Sequence, residues 1–176
     1  RLARAGMSEQ AEDFFLASGR WAAELYKADI EMDLRTEGLA GFQLLDLQDY
    51  PGQGSAYVGI LDAFMDSKGL VSPERWRGFC NEVVPLLLTE KFCWTEGETL
   101  MARVKVAHYA ARSLQGTELA WTLRDEQGHV AGKGVCPIVS SGRGLLEVGD
   151  IRLPVPVTGK ARRLNLELAI EGTDYK

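Results

Sequence analysis

Asp46, Gln48, Asp49 and Tyr50 crowd the end of an apolar run, 39–47, and lead into Pro51-Gly52-Gln53-Gly54. Carboxylate, amide and phenol groups in such a cluster could hydrogen-bond sugar hydroxyls. In a (β/α) barrel the C-terminal end of a strand faces the active site, which would put them at its mouth. The competing role is local. Asp46 and Asp49 could cap the following turn and accept from nearby backbone amides. Spacing alone leaves both roles open.

Other chemistry is thinner. A glycine-rich turn between strand and helix can cradle phosphate. Here Tyr57 stands where a dinucleotide fingerprint needs its third glycine, and no Gly-Lys-Ser/Thr follows. A tight corner with positive φ explains the glycines better. Glu24, Asp29, Glu31 and Asp33 could be read as a metal or acid-base cluster, but a solvated helix face is the plainer reading. His108 sits at an inward strand position and reads as a hydrogen-bonded core histidine. His129 follows a hairpin turn and reads as exposed. No Gly-x-Ser-x-Gly elbow occurs. Cys80, Cys93 and Cys136 form no C-x-x-C pair, and two histidines give them little help toward a zinc site. They read as small buried hydrophobes and do not fix the compartment. No complete catalytic site and no metal site is visible.

The elements that must position these residues fall into two halves. Ser8 reads as a helix N-cap, followed by Glu9, Glu12 and Asp13. Phe14, Ser18, Trp21, Leu25, Ala28 and Met32 then repeat at helical spacing, and Phe15, Ala22, Tyr26 and Ile30 widen the stripe. The helix should end near Arg35, with Gly38 just beyond. The run 39–47 is too continuous for a half-exposed strand and predicts one buried on both faces. The apolar segment 56–64 predicts a helix. Ser72-Pro73-Glu74 predicts a further helix start, with serine as cap and proline in the first turn.

The second half changes period. Leu100, Ala102, Val104, Val106 and His108 alternate with more polar neighbours. So do Leu119, Trp121 and Leu123, and again Leu164, Leu166, Leu168 and Ile170. With turn signals between them, about seven short strands over roughly ninety residues predict an antiparallel sandwich of immunoglobulin-like type. Trp121 fits its central tryptophan, packed in the core.

The chain has 176 residues, of which 45% are hydrophobic and 26% charged, as in globular proteins. A net charge of -5 with scattered basic residues argues against nucleic acid. No apolar run approaches the ~20 residues of a membrane span. A chain opening RLARAGMSEQ reads as cut from something longer.

Two segments carry a family resemblance. Gly41-Phe42-Gln43-Leu44-Leu45-Asp46-Leu47-Gln48-Asp49 resembles the last barrel strand of glycoside hydrolase family 2, the β-galactosidase and β-glucuronidase group. That strand often reads Gly-Gly-Phe-x-Trp-Asp-Trp-x-Asp, and Gly41, Asp46 and Asp49 match it. The stretch from Gly59 to Gly69, with Asp66-Ser67-Lys68-Gly69, resembles the place where the family chain leaves the barrel. Leu45 and Leu47 stand where the family has tryptophans, so their stacking role does not carry over. The chain also stops soon after the strand at 164–170, one strand short of the family sandwich.

The resemblance implies an α+β chain: the terminal β/α unit of a TIM-type barrel at 1–72, a linker at 73–82, and an immunoglobulin-like antiparallel β-sandwich at 83–176. It implies the C-terminal part of a retaining glycosidase, with carbohydrate as the intact enzyme's ligand and no cofactor. Gln43, Asp46, Gln48 and Asp49 would sit near the sugar pocket. Retention needs two carboxyl groups ~5–5.5 Å apart. The resemblance puts both glutamates on strands ahead of Arg1, which would leave residues 1–176 inactive alone. Family enzymes of this kind are often exported, to the periplasm or outside the cell. One β/α unit cannot close a barrel, which predicts a homo-oligomer or a rearranged N-terminal half. The alternatives are a non-catalytic sandwich binding carbohydrate or protein, with Trp94 and Tyr109 as stacking aromatics, and a nucleotide-binding protein using Gly52 and Gly54.

Overall fold

The computed structural model describes residues 1–52 and 56–176. The chain is a mixture of helix and antiparallel sheet and divides into two compact units. The first comprises residues 1–33 and 40–80, the second residues 34–39 and 81–176.

The first unit is built on a long helix, α1, Ala11–Arg35. Ser8 does not cap it directly but opens a 3-10 turn, Ser8–Gln10, that runs into it. Glu12 and Asp13 lie in the first helical turn, where carboxylates oppose the positive end of the helix dipole. Gly38 follows with φ 76°, a left-handed conformation that glycine adopts without strain. Ala23 and Ile30 are the buried side chains of α1. Leu70 lies directly over Gly19, one turn before Ala23. Phe14, Trp21, Leu25 and Met32, the stripe expected to face a core, are exposed.

Two expectations for this unit are corrected. Residues 39–47 form no strand, and Phe42 and Leu45 are exposed rather than buried. An apolar run becomes a strand only where neighbouring strands take its amides and carbonyls. Among the described residues, pairing here is limited to isolated bridges, Gln48 to Leu61, Tyr50 to Ala56 and Leu61 to Ser67. Residues 56–64 form no helix among those described. Gly59 instead runs so close to the Gln48 and Asp49 backbone that a Cβ would collide with it. Asp62 closes the next turn by accepting from the amides of Phe64 at 2.8 Å and Asp66 at 2.9 Å. The unit therefore pairs one long helix with an irregular loop, and a barrel unit is not shown. It ends in the short helix α2, Pro73–Arg77. Its start is as expected: the Ser72 hydroxyl accepts from the Arg75 amide and proline takes the first turn.

The second unit holds six strands: β1 Val83–Thr89, β2 Thr99–His108, β3 Glu118–Asp125, β4 Val130–Pro137, β5 Gly144–Pro154 and β6 Leu164–Ile170. They make two three-stranded antiparallel sheets, ordered β1-β2-β5 and β4-β3-β6. The alternation read from the sequence is what buries their inner faces. Ala102, Val104, Val106 and His108 are buried along β2, while Met101 and Arg103 are exposed. Val104, Val106, Leu119, Ile138, Ile151 and Ile170 form the centre of the core. Trp121 is half-buried rather than central. Its indole lies across Gly134, its cross-strand partner, where any side chain would displace it. His108 is buried, yet among the described residues its Nδ1 has no hydrogen-bond partner, unlike the bonded core histidine expected.

Candidate functional site

The residues singled out in the sequence meet in the loop of the first unit. Its centre is the buried carboxylate of Asp49. Asp49 Oδ1 accepts from Lys68 Nζ at 2.6 Å and from the Gly59 amide at 3.1 Å. Lys68 Nζ also donates to the Gly59 carbonyl at 2.8 Å. Three chain segments are thereby tied at one point, and the backbone repeats the connection. The Asp49 amide donates to the Leu61 carbonyl, and the Leu61 amide donates to the Leu47 carbonyl, both at 3.1 Å. Only glycine lets residue 59 approach so closely.

This cluster sorts the four expected site residues. Asp49 is committed to Lys68 and Gly59, the local role that spacing had left open. Asp46 and Gln48 are half-buried on either side of Leu47, and Gln43 is exposed. The Leu45–Asp46 peptide bond is cis. Tyr26 on α1 donates its hydroxyl to the Asp46 carbonyl at 3.2 Å and so ties the acidic stretch to the helix. Burial raises the Tyr26 phenol above its ordinary pKa, and the nearby Asp46 charge adds to the shift, so it stays a donor. Trp76 of α2 packs edge-on against Tyr26 and against Phe79, with ring centroids 6.1 Å and 5.0 Å apart. Lys68, Gly59 and Tyr26 were not marked as site residues from spacing. Lys68 was legible only through the Asp-x-Lys-Gly pattern.

The remaining sequence candidates disperse. Glu24 pairs with Arg75 and Glu31 with Lys27, so two of the four acidic helix residues are engaged in salt bridges. No group of histidine, cysteine and carboxylate side chains among the described residues could hold a metal ion. Cys80, Cys93 and Cys136 are free thiols, and burial raises Cys80 and Cys136 above the usual thiol pKa. His129 is exposed, with Nδ1 3.1 Å from Asp125 Oδ2 across its hairpin. Burial, and next the Arg143 charge, hold the His108 imidazole below its ordinary pKa, with Glu82 opposing. Tyr50 lies over Gly52, but Gln53 and Gly54, on which a phosphate cradle would depend, lie outside the described residues. Trp94 is half-buried with Lys91 Nζ 4.7 Å from its ring centroid, so one face is taken by a cation. Tyr109 is exposed.

Residues 98–176 match a protein family described as a domain of unknown function (DUF8488). That stretch covers β2 to β6 and leaves out the Asp49 cluster. Comparison with curated proteins finds no match. No helix among the described residues is long and apolar enough to cross a membrane.

Proposed function

We propose that this chain is the C-terminal part of a retaining glycoside hydrolase similar to family 2, acting on carbohydrate. The observation that carries the reading is the Asp49–Lys68–Gly59 cluster. The two segments that carry the resemblance, 41–49 and 59–69, are distant in sequence, yet they interlock through the residues that match. Asp49 and Lys68 hold the corner, and Asp46, Gln48 and Gln43 are the groups left to meet sugar hydroxyls.

Two further features support it. Phe14, Trp21, Leu25 and Met32 on α1, with Leu45 and Phe64 in the loop, leave more apolar surface open than a finished domain does. A barrel built around this unit would cover it. The chain path of the second unit also suits the immunoglobulin-like class. With β1, β2 and β5 in the places of strands A, B and E, β3 and β6 take those of C and F. β4 then lies beside β3 as C′ does in variable-type domains.

The test uses the intact gene product on a panel of aryl β-glycosides. The reading expects hydrolysis with retained anomeric configuration, followed by NMR. It also expects Asp46→Ala and Gln48→Ala to lower kcat/KM by roughly ten- to a hundredfold, the loss of about one to two substrate hydrogen bonds. Absence of hydrolysis across the panel, or full kcat/KM in both variants, would overturn the assignment.

A further inference from the structure

The second unit contains a cavity of about 810 Å³ at the end of the sandwich where β1 leads into β2 and β5 leads into β6. Its volume lies in the range of small-molecule sites. Leu87, Leu100 and Leu153 line it from one sheet, and Leu123, Leu164 and Leu166 from the other. The core simply stops here: Leu87, Leu100 and Leu166 already pack on its buried centre, and past them the gap between the sheets is unfilled.

The mouth is polar and unevenly charged. Lys91, Lys160 and Arg162 line it, together with Glu96. Glu96 is fully engaged: its Oε1 accepts from the Thr158 hydroxyl at 2.8 Å, from the Gly159 amide at 2.6 Å, and from the Thr158 amide. Those donors, with Arg162 contributing last, hold its carboxyl below the usual range, so it stays ionised while pinning the loop at 158–159. Lys91 is committed to Glu98 at 2.7 Å. Lys160 and Arg162 are exposed, and neither has a salt bridge among the described residues. The mouth therefore offers two cationic side chains above a floor of leucine.

We infer that this cavity binds an amphipathic anion, an unbranched hydrocarbon chain ending in a carboxylate. The chain would take the leucine-lined gap between the sheets. The carboxylate would sit at the mouth between Lys160 and Arg162, where a guanidinium can pair with it through two parallel hydrogen bonds. Between the sheets the six leucines offer sugar hydroxyls no partner, so that part of the cavity fits a hydrocarbon chain better than a sugar. The cavity lies wholly within the second unit, so this inference does not depend on glycosidase activity.

Dodecanoate, below its micelle concentration, is the probe, titrated calorimetrically into the intact gene product. Dodecyltrimethylammonium serves as the cation with the same tail. The inference expects one saturable dodecanoate site, at least about tenfold tighter than for the cation, and about tenfold weakened in Lys160→Glu/Arg162→Glu. Both substitutions lie on the surface and leave the core intact. It is overturned if dodecanoate shows no saturable binding, if the two probes bind equally, or if the double variant binds dodecanoate as the parent does.

Discussion

At the scale of single residues, the first unit depends on one buried ion pair and one glycine. Asp49 and Lys68 are both largely shielded from water, so removing either charge leaves the other buried without its partner. Lys68→Met should cost about 3–5 kcal/mol, the usual penalty for breaking a buried pair from one side. Asp49→Asn/Lys68→Met should cost less than the sum of the two single changes, and a double-mutant cycle in urea reads the coupling. Gly59→Ala should cost roughly 1–3 kcal/mol, because its Cβ would fall on the Gln48 backbone, which cannot swing aside as a side chain would. Hydrogen exchange of the Asp49 and Leu61 amides would follow that loss locally. His108 makes the third case. Its folded-state pKa is depressed, so the unfolded chain takes up a proton first as pH falls. Stability should be fully present above about pH 6.5 and decline below it, and His108→Gln should flatten that dependence in urea midpoints.

At the scale of elements, the sequence was legible where one periodicity had one explanation. α1 was readable from its spacing and its acidic start, and α2 from Ser72 and Pro73. β2, β3 and β6 were readable from alternation. The runs at 39–47 and 56–64 were misread because continuous hydrophobicity does not say what will cover it. A strand needs partners, and the described residues supply only isolated bridges. The Asp49–Lys68 contact could not come from periodicity either, since it joins residues 19 positions apart. Only the two segments of the family resemblance, 41–49 and 59–69, pointed to its two halves. The same division between covered and uncovered surface predicts stability. Leu119 on β3 is 0% exposed, and Leu119→Ala should cost ~2–5 kcal/mol. Phe92 is 93% exposed, and Phe92→Ala should stay within about 0.5 kcal/mol. Urea unfolding of the two variants would separate them.

At the scale of the whole molecule, the two units differ in how complete they are. The second encloses a core between two sheets, with its alternating strands buried as their sequence demands. The first holds a fixed corner on one side of α1 and leaves the other side of that helix apolar and open. A glycosidase barrel is the proposal that accounts for both the corner and the open face. Reading the coding sequence ahead of Arg1 tests it most directly. The proposal predicts a series of β/α units there, with a glutamate at the end of each of two strands, close enough to act as acid/base and nucleophile. A start codon close to Arg1, with no such units before it, would contradict the proposal and leave the Asp49 cluster as the brace of a small helix-and-loop unit.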